Sequence, residues 1–217
     1  MRSIEYVSFD MEGTLVESSF SNLVWETDIP RLYAERHGLD FKAARRKVLE
    51  EYGEVGEHRP EWYDVDHWFR LFELEGDWRS LLESRKEDCR AYPEVHGVLG
   101  RLSLRHPVIV ASNTIREFLD VQLTVLPEVF ARVFSAPSDF GTVKKSSEFY
   151  GRICLILSVE PGTVAHVGDS MTYDYDEARN QGVHAFFLDR TGKEAGEHVV
   201  HDLMEFEAML SETDGKC

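Results

Sequence analysis

IEYVSFDMEGTL, residues 4–15, is the stretch of sequence that decides the fold. Its first half is apolar enough for a buried strand, and we predict a strand over Ile4–Phe9. The carboxylates of Asp10 and Glu12 follow directly, and Gly13-Thr14 after them favours a tight loop over a continuing strand. The stretch therefore predicts a buried strand that ends in a loop carrying two acidic side chains.

Short apolar runs alternate with longer amphipathic stretches in the second half of the chain, a pattern typical of a parallel sheet covered by helices. Further strands are predicted at Pro107–Ala111, Arg132–Ser135, Thr163–Val167 and His184–Leu188. Helices are predicted at Pro93–Leu104, Thr114–Leu126, Ser146–Leu157, Thr172–Gln181 and Asp202–Leu210. We therefore expect an α/β protein whose core is a doubly wound, Rossmann-like parallel sheet.

Residues 16–91 differ from the rest of the chain because they contain no convincing strand. All 4 tryptophans fall there, and apolar residues recur at helical spacing, as in Trp68-Phe69-Phe72, with breaks near Gly38 and over Gly53–Pro60. We interpret this segment as an all-helical insertion into a core made of residues 1–15 and 92–217. Its candidates for ligand contact are Trp25, His58, Arg59, Trp62 and Tyr63.

The composition excludes several classes of protein. A chain of 217 residues that is 42% hydrophobic and 12% aromatic is neither disordered nor fibrous. The net charge of -16 disfavours nucleic acid and anionic membranes as partners, because both would be repelled. The apolar runs are too short to span a bilayer, and the 3 cysteines are too scattered for a disulfide framework or a zinc site. We expect a cytoplasmic protein that is a monomer or a homodimer.

Polar residues follow the predicted strands, at the positions where open α/β sheets bind their ligands. These sites are Asp10-Met11-Glu12-Gly13-Thr14, Ser112-Asn113-Thr114, Gly141-Thr142-Val143-Lys144-Lys145, and Gly168-Asp169-Ser170 with Asp174. Each has an ordinary explanation on its own, since Ser, Asn and Asp cap helices and lysine pairs are commonly solvated. Together they supply a nucleophile, an anion pocket, a cation and metal-ligating carboxylates, which is what phosphoryl transfer needs.

The same sites resemble the four motifs of the haloacid dehalogenase superfamily of hydrolases. The matching stretches are Asp10–Leu15 for Asp-x-Asp-Gly-Thr-Leu, Ser112-Asn113 for the second motif, Gly141-x-x-Lys144 with Phe149-Tyr150 for the third, and His166–Ser170 with Asp174 for the fourth. The resemblance extends over the whole chain. It implies a Rossmann-like core, an inserted all-helical cap domain that closes over the site, and a small phosphorylated metabolite as substrate.

The resemblance also implies a role for each matched residue. Asp10 is implied as the nucleophile that forms an aspartyl-phosphate, and Glu12 as the acid and base that protonates the leaving oxygen and then activates water. Mg²⁺ is implied on the carboxylates of Asp10 and Asp169 and the backbone carbonyl of Glu12, with Asp174 in support. The residues implied to hold the phosphoryl oxygens are Gly13, Thr14, Ser112, Asn113 and Lys144.

Two positions depart from the pattern of the superfamily. Glu12 replaces the usual second Asp, as it also does in enolase-phosphatases, and its extra methylene changes the reach of the acid. Lys145 replaces the proline that usually follows the motif lysine; the register to Phe149-Tyr150 selects Lys144, and Lys145 is the alternative.

Three other functions stay open beside a phosphatase. Dehalogenases of the superfamily use no metal and carry Tyr at the position of Glu12, so the retained Asp169 favours a phosphatase. A phosphomutase would use the same four sites and differ in the contacts of the cap. A non-catalytic binding scaffold has support only from Glu12 and from the altered third motif.

Overall fold

The computed structural model describes residues 3–214, and its core is one parallel sheet. The strands are β1 (Tyr6–Phe9), β2 (Val108–Ser112), β3 (Phe130–Ser135), β4 (Val164–Gly168), β5 (His184–Leu188) and β6 (Val199–Val200). They lie side by side in the order β3-β2-β1-β4-β5-β6, and every pair is parallel. The order reverses at β1, which confirms the predicted doubly wound, Rossmann-like core.

The strand at the centre of the sheet aligns the ends of its neighbours. Phe9 pairs with Val110 of β2 and with Val167 of β4, and all three side chains are buried. Such apolar runs form central strands because helices cover both faces of a parallel sheet. Since the strands run in one direction, the loops that follow β1, β2 and β4 meet at one edge of the sheet.

Helices make up the insertion between β1 and β2, as its lack of strand patterns predicts. They are α1 (Ser19–Leu23), α2 (Ile29–His37), α3 (Phe41–Val55), α4 (Val65–Leu71) and α5 (Trp78–Ser84), with a π-helical turn at Val24–Asp28 and 3₁₀ turns at Pro60–Tyr63 and Lys86–Asp88. The break predicted over Gly53–Pro60 begins later, because α3 continues through Gly53 and ends at Gly56, which has a φ of 76°.

Aromatic side chains fill the interior of the insertion and also join it to the core. Trp68 is fully buried, and its ring lies 4.6 Å from that of Tyr52 and 5.5 Å from that of Phe72. Trp25 instead stacks on Phe118 of the core, with ring centroids 5.6 Å apart and an interplanar angle of 10°. Phe20 packs edge-on against the same Phe118 ring, also at 5.6 Å. The insertion therefore has its own aromatic core and meets the sheet domain through aromatic contacts on Phe118.

The chain enters and leaves the insertion through two adjacent segments. Val16 pairs antiparallel with Ala91, Glu17 N–H donates to the Arg90 carbonyl at 2.9 Å, and Tyr92 N–H donates to the Leu15 carbonyl at 3.1 Å. The predicted boundaries after residues 15 and 91 fall within this hydrogen-bonded pair of segments. The two connections between the insertion and the core therefore lie side by side.

The helices of the core flank the sheet and connect its strands. They are α6 (Val95–Ser103), α7 (Arg116–Leu123), α8 (Ala136–Phe140), α9 (Ser147–Leu157), α10 (Glu177–Asn180) and α11 (Leu203–Asp214). The helix predicted from Thr172 opens instead as a π-helical turn over Met171–Asp176. Both α8 and β6 escaped prediction because five and two residues are too few to show a periodicity. Within residues 3–214, no helix has the length and apolar character needed to cross a bilayer.

A buried ion pair connects the two ends of the insertion. Asp28 is 3% exposed, and Arg85 donates to both of its carboxylate oxygens, at 2.6 Å and 2.5 Å. We expect Arg85→Met to lower the free energy of unfolding by about 2–4 kcal/mol, because it leaves a buried carboxylate with only the exposed Arg31 as partner. Urea denaturation measures the loss. Arg36→Met is the matched control, since its partners are exposed and it should cost under about 0.5 kcal/mol.

Candidate active site

Three strand ends and one helix start bring polar side chains to the carboxyl edge of the sheet. Asp10 follows β1, Ser112 ends β2, Asp169 follows β4, and Lys145 lies two residues before α9. The backbone N–H of Asp10 donates to the carbonyl of Val167 at 3.0 Å, which joins the ends of β1 and β4. Residues far apart in the sequence thus form one cluster.

Lys145 is the centre of this cluster. Its side chain is 1% exposed, and its ammonium donates to Asp10 Oδ1 at 2.5 Å, to the Ala111 carbonyl at 3.2 Å and to Asp174 Oδ1. A buried ammonium is stable only where carboxylates and carbonyls surround it. Lys145 therefore holds two acidic groups together and one oxygen of Asp10 in a fixed place.

A second layer of buried polar groups fixes Asp174. His166 of β4 lies with Nε2 3.0 Å from Asp174 Oδ1 and Nδ1 2.8 Å from the Ser8 hydroxyl. The Tyr150 hydroxyl lies 3.1 Å from the same Nε2 and donates to the Tyr173 carbonyl at 2.9 Å. Asp174 Oδ2 accepts from the Ser170 N–H at 3.0 Å. Both oxygens of Asp174 are thus occupied by donors from the protein.

The pKa values of the three carboxyl groups are shifted in different directions. Burial raises the pKa of Asp10 well above its usual value, against the attraction of Lys145. Burial and the charge of Asp174 raise the pKa of Asp169 to about 6. Burial would also raise the pKa of Asp174, but Lys145 and His166 together lower it well below its usual range. The pKa values of Asp10 and Asp169 are thus raised although Lys145 lies nearby, whereas the pKa of Asp174 is lowered.

Glu12 lies beside this cluster. Its Oε1 is buried and has no hydrogen-bond partner among the described residues. Burial raises the pKa of Glu12 to about 7; a hydrogen bond from Ser21 opposes the shift and the charge of Asp169 adds to it. A carboxyl group with this pKa exchanges its proton readily near neutral pH, which suits general acid and base catalysis.

The loop that carries Glu12 requires glycine at its next position. Gly13 has a φ of 79°, and a Cβ built there would lie 2.1 Å from Asp169 Oδ2. Arg190 holds the loop from outside, donating to the carbonyls of Gly13 at 3.1 Å and Thr14 at 2.7 Å while it pairs with Glu94 at 2.8 Å. The loop and Asp169 are therefore in direct contact.

The residues after β2 are arranged around the same cluster. The Ser112 hydroxyl is buried and accepts from the Thr114 N–H at 3.2 Å. Asn113 Oδ1 accepts from the backbone N–H of Lys145 at 2.7 Å. Asn113 thus positions the backbone of Lys145, a contact that its predicted role in binding phosphoryl oxygens does not include.

The structure places Lys145, the alternative to Lys144, against Asp10. Lys144, which the register to Phe149-Tyr150 selects, donates to Glu57 of the insertion at 2.9 Å and lies over the rings of Tyr63 and Tyr173. Lys145 is the residue that reaches Asp10. The backbone of Lys145 is held in this position by Asn113, whose Oδ1 accepts from its N–H.

A cavity of about 390 Å³ lies between the insertion and the core next to this cluster. Its lining residues are Glu12, Ser18, Ser21, Asn22, Trp25, Trp62, Tyr63, Asn113, Thr114, Ile115, Phe118 and Lys144. Three of the five candidate contact residues of the insertion therefore line the cavity, whereas His58 and Arg59 do not. The side chain of His58 is 78% exposed.

The carboxylates fit a divalent cation. One oxygen each of Asp10, Asp169 and Asp174 lie within 4.8 Å of one another. Three carboxylates against one ammonium leave an excess of negative charge, and hard oxygen donors suit Mg²⁺. Asp169 is the most solvent-accessible of the three, while both oxygens of Asp174 are already engaged by protein donors. The set therefore suits direct contacts from Asp10 and Asp169 and an indirect contribution from Asp174.

Comparison with protein-family models identifies the family. The model of the haloacid dehalogenase-like hydrolases matches residues 4–182, most of the chain. The chain belongs to the haloacid dehalogenase-like hydrolase family. The span includes all four motifs and the whole insertion, so the resemblance drawn from the short motifs is confirmed.

This haloacid dehalogenase-like hydrolase is similar to two named enzymes and to a solved structure. It is 25% identical to the glyceraldehyde 3-phosphate phosphatase of Pyrococcus furiosus over 99% of this chain and 96% of that protein. The GMP/IMP nucleotidase YrfG of Escherichia coli is 28% identical to this chain, and the match covers 31% of this chain and 30% of the length of YrfG. The crystal structure of a phosphatase of the same family from Thermococcus onnurineus superposes with a TM-score of 0.82 at 22% identity, over 95% of this chain and 98% of that one.

Sequence reasoning missed three residues of this hydrolase's site. Arg190 and Tyr150 lie 177 and 16 residues away in sequence from the groups that they contact, so no local spacing reveals their roles. His166 was part of the fourth motif but had no role assigned to it. Its place on a fully buried strand is the signal that could have found it, because a buried polar side chain needs partners.

Proposed function

We propose that this protein is a Mg²⁺-dependent phosphatase that hydrolyses a small phosphate monoester through an aspartyl-phosphate on Asp10. One observation carries the proposal: Asp10 is buried against the ammonium of Lys145, at the edge of the sheet where Asp169 and the cavity beside Glu12 meet. A nucleophile, a cation and a group that exchanges protons near neutral pH are what phosphoryl transfer requires.

The first half of the proposed reaction forms the intermediate. A carboxylate oxygen of Asp10 attacks the phosphorus, the bond from phosphorus to the leaving oxygen breaks, and Glu12 donates its proton to that oxygen. In the second half, water attacks the phosphorus of the aspartyl-phosphate and Glu12 takes a proton from it. The bond from phosphorus to Asp10 then breaks, which releases inorganic phosphate and restores both carboxyl groups.

The groups around Asp10 serve as the proposed cradle for the phosphoryl oxygens. Lys145 takes the role that the sequence assigned to Lys144, and its ammonium faces the negative charge of the phosphoryl group. Ser112 adds a buried hydroxyl. The hydroxyl of Thr14 is buried without a partner among the described residues, and this orphaned group suits a contact with bound substrate. Gly13 allows the loop to approach Asp169, because a Cβ at this position would collide with that carboxylate.

Three groups would hold Mg²⁺: the carboxylates of Asp10 and Asp169 and the backbone carbonyl of Glu12, with Asp174 in support. When bound, the ion supplies positive charge that stabilises the developing charge on the phosphoryl oxygens. Glu12 also supports phosphatase over dehalogenase chemistry, since a dehalogenase of the superfamily carries Tyr at that position. The P. furiosus relative, which matches over nearly its whole length, is a phosphatase of a small phosphorylated metabolite.

The charge and composition support the remaining parts of the proposal. We propose a cytoplasmic location for the enzyme. A net charge of -16 disfavours nucleic acid and anionic membranes as partners and favours a site that binds its small substrate together with a divalent cation. We propose that it acts as a monomer or a homodimer.

Phosphate release from p-nitrophenyl phosphate tests the metal requirement. We expect turnover with Mg²⁺, a loss of at least about 100-fold in EDTA, and recovery when Mg²⁺ is restored in excess. Titration calorimetry of Mg²⁺ into the metal-free enzyme gives an independent readout of binding. Equal turnover with and without EDTA, or chloride release from 2-chloropropionate in its place, would contradict the proposal.

A further inference from the structure

The cavity beside Glu12 has an unusual distribution of charge. Among the described residues that line it, only Glu12 and Lys144 carry charged side chains. Glu12 lies at the reacting end, next to Asp169. Lys144 is therefore the one lining cation that could meet a charged group on the substrate's leaving part.

Lys144 is already neutralised by the insertion. Its ammonium donates to Glu57 Oε2 at 2.9 Å and lies 5.5 Å from the ring centre of Tyr63 and 4.8 Å from that of Tyr173. The side chain of Lys144 is 18% exposed and that of Glu57 is 51% exposed, so Lys144 is the more enclosed partner. A second anion entering the cavity would have to compete with Glu57 for this ammonium.

The rest of the lining suits an uncharged, hydroxylated group. Trp25, Trp62 and Phe118 offer apolar faces, while Ser18 and Asn22 offer hydroxyl and amide groups that can bond to hydroxyls. A carboxylate or second phosphate placed there would lose hydration without gaining a free cation. The lining therefore disfavours a leaving group that carries a charge.

We propose that Glu57 sets the charge selectivity of the enzyme: by pairing with Lys144 it reserves the cavity for phosphate monoesters whose leaving group is an uncharged, hydroxylated carbon chain. This inference rests on the proposed phosphatase function and names its substrate class. It makes Glu57 a specificity-determining residue, although it lies outside the lining of the cavity.

Two esters of the same size test the inference. Glycerol 1-phosphate and 3-phosphoglycerate share a three-carbon skeleton, and only the second adds a carboxylate. Each is measured as a competitive inhibitor of p-nitrophenyl phosphate hydrolysis with Mg²⁺, so that a value is obtained whether or not the ester is itself turned over. We expect the wild-type enzyme to bind glycerol 1-phosphate more tightly.

Glu57→Gln should shift the ratio of the two inhibition constants about three- to tenfold toward 3-phosphoglycerate, because it frees Lys144 for the carboxylate. An effect on closure of the insertion would change both constants together and leave the ratio unmoved. Glu61→Gln is the matched control, since Glu61 pairs with Arg59 on the same segment and does not line the cavity. Adding Lys144→Met to Glu57→Gln should abolish the shift.

The outcomes separate the two proposals. No hydrolysis of p-nitrophenyl phosphate under any condition overturns the phosphatase proposal and, with it, the inference. Two outcomes overturn the inference alone, provided that the enzyme hydrolyses p-nitrophenyl phosphate. In the first, the wild-type enzyme binds 3-phosphoglycerate more tightly than glycerol 1-phosphate. In the second, Glu57→Gln leaves the ratio of the two inhibition constants unchanged. A shift of equal size in Glu61→Gln also overturns it, because the effect would then be one of net charge.

Discussion

We expect Asp10→Asn to lower the rate of phosphate release from p-nitrophenyl phosphate by at least about 10⁴-fold. An amide is a poor nucleophile, and no other carboxylate takes the place of Asp10. Asn has nearly the same shape as Asp, so the pocket around the side chain stays filled. The expected loss lies in kcat, since the phosphoryl oxygens still meet Lys145. Steady-state kinetics with saturating Mg²⁺ measure it.

Asp120→Asn is the matched control for this variant. It makes the same chemical change on an exposed position of α7, and we expect kinetics within about twofold of wild type, as for other exposed substitutions. Thermal denaturation shows whether Asp10→Asn is folded. A folded Asp10→Asn protein with more than a tenth of the wild-type kcat would refute the role of Asp10 as nucleophile.

The core of the fold was predictable because its signals are local. The apolar run before Asp10, and similar runs at β2, β4 and β5, are long enough to identify strands, and their order along the chain defines a parallel sheet. Loops at the carboxyl ends of such strands must meet, so the clustering of Asp10, Ser112 and Asp169 follows from the pattern alone.

The direction of individual side chains was less predictable. Lys144 and Lys145 are identical in type and adjacent, and the motif proline that would fix the register is absent. Lys145 instead has a long-range contact, since its backbone N–H donates to Asn113, which lies 32 residues away in the sequence. The stacking of Trp25 on Phe118 is a contact of the same long-range kind, and both residues line the cavity.

Replacing each of the two lysines by methionine separates their roles. We expect Lys145→Met to lower kcat/KM for p-nitrophenyl phosphate by about 10³-fold, because it removes the cation that meets the charge of the phosphoryl group. Lys144→Met should stay within about threefold of wild type, since its ammonium is engaged by Glu57 at the outer part of the cavity. The two variants make the same chemical change one residue apart, so each controls for the other.

Loss of stability must be distinguished from loss of chemistry in Lys145→Met. Without the ammonium, Asp10 and Asp174 are buried carboxylates with no cation between them, and we expect the free energy of unfolding to fall by about 3–5 kcal/mol. Adding Asp10→Asn removes one of those charges and should restore part of the stability without restoring turnover. Urea denaturation and kinetics on the single and double variants measure both effects.

If Lys144→Met lost more activity than Lys145→Met, the register of the motif lysine would be the one that the sequence indicated, and the buried ammonium would serve only to balance charge.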